Sequence, residues 1–225
     1  MKGSMMLKLR QQIIRGMVIL IILIIGLAMI SPYIRLNPAQ SRVMLDPSFP
    51  LHYTVLVIHI FLAFIALVLG PFQFMRGIRQ RHIALHRATG RVYLSCVLLS
   101  GTASIIVGLY TADFTRQTAF LMLAVLWLLS AIKAYIAIRQ RRINEHFTWM
   151  VRNYALTLVA VVARIIVPLS IVVQLLRGQI SLPINITEVL NKTLGTGIWL
   201  AIVLNLVLAE WTILRRIQKK TTERD

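Results

Sequence analysis

Acidic side chains are what this chain has least of. Seven Asp and Glu stand against 25 Lys and Arg in 225 residues, a formal net charge of +18. None of the seven falls at the centre of an apolar run, which argues against an ion pump driven by intramembrane carboxylates. Cysteine is almost missing. Cys96 stands alone, so no intrachain disulfide and no thiolate metal cluster can form. No Gly-rich phosphate loop, Gly-x-Ser-x-Gly elbow or paired Asp/Glu motif occurs. Charge of either sign is itself scarce, 14% against 58% hydrophobic residues, with a mean hydropathy of +0.76. A soluble globular domain does not have that balance.

Present instead are six long apolar runs, at 13–33, 53–74, 92–110, 117–138, 150–175 and 195–214. About 20 residues of helix cross a bilayer, so each run predicts a membrane span. The expectation is an all-α, six-helix transmembrane bundle in a single integral membrane domain covering residues 1–225. The first run follows Lys2, Lys8, Arg10 and Arg15 like a signal peptide, but its apolar core is too long and Ser31-Pro32-Tyr33 is no small-x-small cleavage site. It reads as an uncleaved span. The connections at 31–52 and 176–194 are rich in Pro, Asn and Ser and read as surface loops.

The basic residues fall mostly on one side of this bundle. Four lie before or just inside the start of the first run, five in the second connection, five in the fourth connection and the adjoining ends of its two runs, and five in the tail; the other side has Arg35, Arg42, Arg116, Arg177 and Lys192. Basic loops stay in the cytoplasm, so both termini are expected there. The same clustering between apolar runs accounts for the high charge without nucleic acid. The bilayer is the first expected partner.

The chain repeats itself at an offset of 60. Residues 78–86, Ile-Arg-Gln-Arg-His-Ile-Ala-Leu-His, match residues 138–146, Ile-Arg-Gln-Arg-Arg-Ile-Asn-Glu-His, at six of nine positions. One residue of slippage later, Arg91-Val92-Tyr93 matches Arg152-Asn153-Tyr154. Both copies end one span and begin the next, which predicts a duplicated helical hairpin. His86 and His146 then occupy equivalent points at one membrane edge. Two imidazoles facing across a bundle can ligate one haem iron axially, as in a b-type haem, or bracket a quinone headgroup. Gly90, one turn beyond His86, would admit a flat ring. Arg91 and Arg152 can pair with haem propionates or another anion. The plainer alternative is a pair of interfacial histidines bonded to water or headgroups.

Two further polar residues lie inside runs. His59 and Arg164 both fall in the outer halves of their spans. A charge at that depth costs at least about 2.5–3.5 kcal/mol and should face the bundle interior with a partner, so the two are expected to converge on one internal polar pocket; the alternative is that Arg164 caps helix carbonyls freed by Pro168 or snorkels outward. Glu210 and Lys133, near the other ends of their spans, are expected to pair with each other or to snorkel. His82 and His86 have the i,i+4 spacing of metal ligands, with Glu145 and His146 as candidates to complete a site.

Taken in order, His59, Gly70-Pro71-Phe72-Gln73-Phe74, His86-Arg87-x-x-Gly90-Arg91-x-Tyr93, His146-x-x-Trp149-Met150-x-Arg152-x-Tyr154-Ala155-Leu156-Thr157 and Arg164 before Pro168 resemble the bacterial membrane family called domain of unknown function 2306. The likeness covers about residues 53–175, leaving the spans at 13–33 and 195–214 as additions. Phe147 stands where that family usually has an arginine beside the histidine. The resemblance implies a multi-pass protein of a bacterial inner membrane. A wider likeness, to diheme transmembrane cytochromes, is one of architecture alone. The functional expectation is a haem- or quinone-binding redox protein, partnered by a membrane redox protein or a second copy of itself. The alternative is a non-enzymatic transporter or an assembly factor for a respiratory complex.

Overall fold

Lipid offers no hydrogen bonds to a backbone, so a spanning segment must satisfy its own amides, and a helix does this within one segment. The apolar runs fold accordingly. A computed structural model describes residues 2–180 and 185–222. Among the described residues there is no strand. The helices are α1 (Lys2–Ile30), α2 (His52–Phe74), α3 (Arg76–Arg81), α4 (Ile83–Leu109), α5 (Phe114–Arg139), α6 (Ile143–Thr157), α7 (Val159–Leu176) and α8 (Ile186–Thr222). Six of them are long and apolar enough to cross a membrane: α1 from residue 12 onward, α2, α4, α5, α7 and α8.

Several helices run past the expected spans. The helix expected at 92 begins at Ile83, and the basic connection before it is largely helical. Arg, Gln, Leu and Ala are good helix formers, and they dominate this stretch. The loop expected over 176–194 is helical from Ile186. Asn185 explains the early start: its side chain accepts from the Glu188 amide at 3.2 Å, and Lys192 reaches Glu188 at 2.7 Å one turn on. An Asn N-cap with an acid in the first turn is a helix-start signal. The part of that loop expectation at 181–184 lies outside the described residues. The fifth span is broken at Leu158 into α6 and α7. Thr157 returns its hydroxyl to the Asn153 carbonyl at 3.0 Å, a back-bond that loosens a helix.

α2 packs along α4, and α5 along α6. α4 joins the two pairs by lying on α5, and α2 also touches α6, closing a four-helix centre. α8 covers α5, α6 and α7, while α1 rests at the margin on α2 and α7. The centre is built from Ala66, Val97, Ala131 and Ala134, all buried. Small residues let membrane helices approach closely; a Cβ on Gly101 would meet Leu128 at 2.7 Å and one on Gly108 would meet Leu121 at 3.0 Å. Where α2 begins, the preceding loop folds back. The Asp46 amide donates to His52 Nδ1 at 2.9 Å, and Phe49 stacks on Tyr110 with centroids 4.5 Å apart.

Candidate functional site

The two repeat histidines occupy the same place in their helices. α4 and α6 both begin with an isoleucine, Ile83 and Ile143, and His86 and His146 are each the fourth residue. Their amides close onto the residue before the helix, His86 to the His82 carbonyl at 3.0 Å and His146 to Arg142 at 2.9 Å. Both side chains are half-buried. A carbonyl only accepts, so the 2.8 Å contact of His146 Nδ1 with the Ala134 carbonyl makes Nδ1 the protonated nitrogen and leaves Nε2 a lone pair. His146 precedes the fifth span, and burial holds its imidazole below the ordinary range, against the opposing pull of the Ala134 bond. His86 Nδ1 is buried with no hydrogen-bond partner. His146, Arg79 and Arg87 all lie within electrostatic reach of His86.

The guanidinium beside His146 comes from another helix. Arg216 of α8 lies over the Phe147 ring, 3.5 Å from its centroid, with Arg76 and Arg79 nearby. The arginine-rich ends of α3, α4, α6 and α8 therefore meet at one edge. Arg152 is otherwise engaged: it grips Glu210 of α8 at 2.6 and 3.2 Å and lies over Trp149 at 4.7 Å. Glu210 thus pairs with Arg152 and not with Lys133, because α6 rather than α5 presents its cation to that stretch of α8. Arg91 bends back to the Arg87 carbonyl at 3.4 Å on the exposed side of α4. Gly90 faces α2. A Cβ there would meet Gln73 Oε1 at 3.0 Å, and Gln73 donates to Thr89 at 2.9 Å. The space expected for a flat ring is taken by the Gln73 amide.

His82 falls in the non-helical link between α3 and α4. It does not share a helical face with His86, and no group of three or more metal-ligating side chains gathers among the described residues. His59 and Arg164 do not meet. His59 Nδ1 donates to the Ser100 carbonyl at 3.0 Å, and Ser100 Oγ returns a bond to the His59 carbonyl at 2.9 Å. Arg164 is exposed, folds onto the Ala160 carbonyl of its own helix at 2.7 Å, and has Arg42 and Tyr33 as its charged and phenolic neighbours. Depth along a span does not fix direction around it: His59 faces α4, and Arg164 faces away from the centre.

Below the histidine edge lies a polar knot that sequence reasoning left unassigned. Tyr93 donates to Asn153 Oδ1 at 2.6 Å, and its oxygen is 3.0 Å from Thr157 Oγ1. Trp127 Nε1 donates to Thr157 at 2.9 Å. The Asn153 amide donates to the Trp127 carbonyl at 2.9 Å and to Ser130 at 2.8 Å. All five side chains are buried, and they tie α4, α5 and α6 together. Trp127 is therefore a core hydrogen-bond donor. Asn153, an amide inside an apolar run, was the available signal.

Tyr154 makes the reciprocal contact. Pro71 has no N–H, so the Leu67 carbonyl loses its usual helical donor. The Tyr154 hydroxyl approaches that carbonyl at 3.4 Å, and the ring lies where a Cβ on Gly70 would stand. Gly70-Pro71 is thus a notch in α2 shaped for a tyrosine from α6.

A family model described as "Predicted membrane protein (DUF2306)" matches residues 56–213, and so takes in the histidine edge, the knot and the notch. No curated protein and no solved structure matches the chain. The match runs over more than half of the sequence and includes the sixth span: the chain belongs to the predicted membrane protein family DUF2306.

Proposed function

We propose that this multi-pass protein is a membrane redox component that takes a quinone headgroup between His86 and His146. The observation that carries the reading is their complementary state at equivalent helix positions. His86 offers a buried, unpartnered Nδ1, and His146, fixed by the Ala134 carbonyl, offers the lone pair of Nε2. An unpartnered ring nitrogen and a free lone pair at equivalent helix positions suit a carbonyl and hydroxyl carrier that is reduced and oxidised with proton uptake and release. When bound, the quinone supplies the electron chemistry; the protein holds the two ring oxygens and shields them from lipid. Arg79, Arg87 and Arg216 give this edge a positive field that favours a reduced, anionic headgroup.

A b-type haem is the second reading. It is favoured by one observation: a histidine whose Nδ1–H is held by a backbone carbonyl has the orientation of a metal ligand. Gln73, filling the space at Gly90, weighs against a flat macrocycle on α4. A transporter or assembly factor needs neither cofactor. We place the histidine edge and both termini on the cytoplasmic side of a bacterial inner membrane, following the basic asymmetry.

Purified protein decides among these. Extraction of quinone, with retention cut at least tenfold by His86→Ala or His146→Ala, supports the first reading. A Soret band that shifts on reduction and is lost in both variants would replace it with the second. Neither quinone nor Soret band after expression with both available would overturn both.

A further inference from the structure

We propose that the groove between α7 and α8 is a binding site for one acidic phospholipid, in the leaflet opposite the arginine-rich edge. The groove encloses about 680 Å³. At its floor the helices are in close contact, for Gly197 lies directly under Val167 with no room for a Cβ. Leu169, Val173, Leu200 and Leu204 wall it, all exposed on the lipid-facing surface. Toward the far membrane edge the lining becomes polar. Gln174 donates to Thr193 at 3.4 Å across the two helices, and the groove ends at Arg177 and Lys192.

Dimensions and charge together select the occupant. From Ile166 to Arg177 the lining covers eleven residue steps of α7 and its C-cap, about 16 Å at 1.5 Å per residue. That is about half of a hydrocarbon core of roughly 30 Å, the depth of a single leaflet. An acyl chain can follow the leucines and valine while its headgroup stays level with Arg177. The charge pattern is selective because this side of the protein has little positive charge to offer. Besides Arg164 within the span of α7, only Arg35, Arg42, Arg116, Arg177 and Lys192 belong to it, and two of these five frame this groove. Lys192 shares its charge with Glu188 at 2.7 Å. Arg177 has no ion pair among the described residues, and its planar fork of donors fits a phosphate. Apolar walls leading to an uncompensated guanidinium are complementary to a phosphodiester headgroup on an acyl chain, and poorly matched to a zwitterionic one, whose own ammonium would face Arg177.

The test is native mass spectrometry of the full chain released from detergent micelles. The micelles are doped with phosphatidylglycerol or with phosphatidylcholine of the same chain length. The expected result is one phosphatidylglycerol retained at least fivefold more than phosphatidylcholine. Arg177→Gln should abolish that preference, and Thr196→Phe, which fills the groove, should lower retention of both lipids. Arg35→Gln, on the same side but off the groove, should change nothing. Equal retention of the two lipids overturns the proposal, as does an Arg35→Gln effect equal to that of Arg177→Gln. Binding of glycerol phosphate, which has no chains, as tightly as phosphatidylglycerol would make this a soluble-anion site and overturn it too. Arg177 lies in an exposed C-cap, so its variant folds; an unchanged thermal melt of Arg177→Gln confirms that the retention assay reads binding.

Discussion

Asn153 concentrates more of the structure's polar chemistry than any titratable residue in the bundle. Its amide is fully buried, and both its oxygen and its nitrogen are used: Tyr93 donates to the one, while the other donates to Ser130 and the Trp127 carbonyl. A buried group that loses its partner costs about 1–3 kcal/mol, more than the bond itself contributes. Asn153→Ala should therefore lower stability by about that amount and depress the thermal melt followed by tryptophan fluorescence. Tyr93→Phe should cost less, since it removes a hydroxyl and leaves the Asn153 nitrogen bonded. A double variant losing no more than Asn153→Ala alone would show the two acting as one unit. Equal, additive losses would mean that the knot is not cooperative. Thr157, which accepts from Trp127 and donates into α6, gives the same knot its second anchor.

At the level of elements, α8 is joined to α6 by charge as well as packing. Arg152 and Glu210 face each other at 2.6 Å with about a quarter and nearly half of their side chains exposed, and Asn205 donates to the Ala155 carbonyl at 3.0 Å beside the break at Leu158. A partly solvated pair contributes at most about 1 kcal/mol, so Arg152→Glu should loosen α8 mildly. The swap Arg152→Glu with Glu210→Arg should restore it, as read by hydrogen exchange along α8; no restoration would assign the effect to the lost stacking on Trp149. The spans were legible in the sequence because hydropathy is local, and the equivalence of α4 and α6 because a repeat is visible by eye. The partner of Glu210 was not, since Lys133 and Arg152 are equally plausible until the neighbour of α8 is known. His59 and Arg164 failed for a related reason. With 3.6 residues per turn, one step of sequence rotates a side chain by 100°, and an apolar helix with apolar residues all round gives no clue to which side faces inward. Where the sequence did carry direction, it was through shape: Gly70-Pro71 marks a notch, and Tyr154 fills it.

For the molecule as a whole, the unequal distribution of arginine and lysine governs how it sits in a bilayer. Arg76, Arg79 and Arg216, from distant parts of the chain, lie close together at one edge, so the charge bias of the sequence becomes a single basic face. Short basic loops resist translocation. A reporter fused to the carboxyl end should be active only if it works in the cytoplasm; activity of a reporter that works only outside would invert the orientation proposed for the histidine edge. The paired hairpins add a consequence for biosynthesis. Tyr93 and its acceptor Asn153 are 60 residues apart, and Tyr154 must reach back 87 residues to Leu67. At about 5–20 residues per second, roughly 3–12 s of translation separate Tyr93 from its acceptor. For that interval the first hairpin leaves the ribosome with a hydroxyl unsatisfied and an open notch, and the nascent chain must keep both near water or the insertion machinery until α6 arrives to close them.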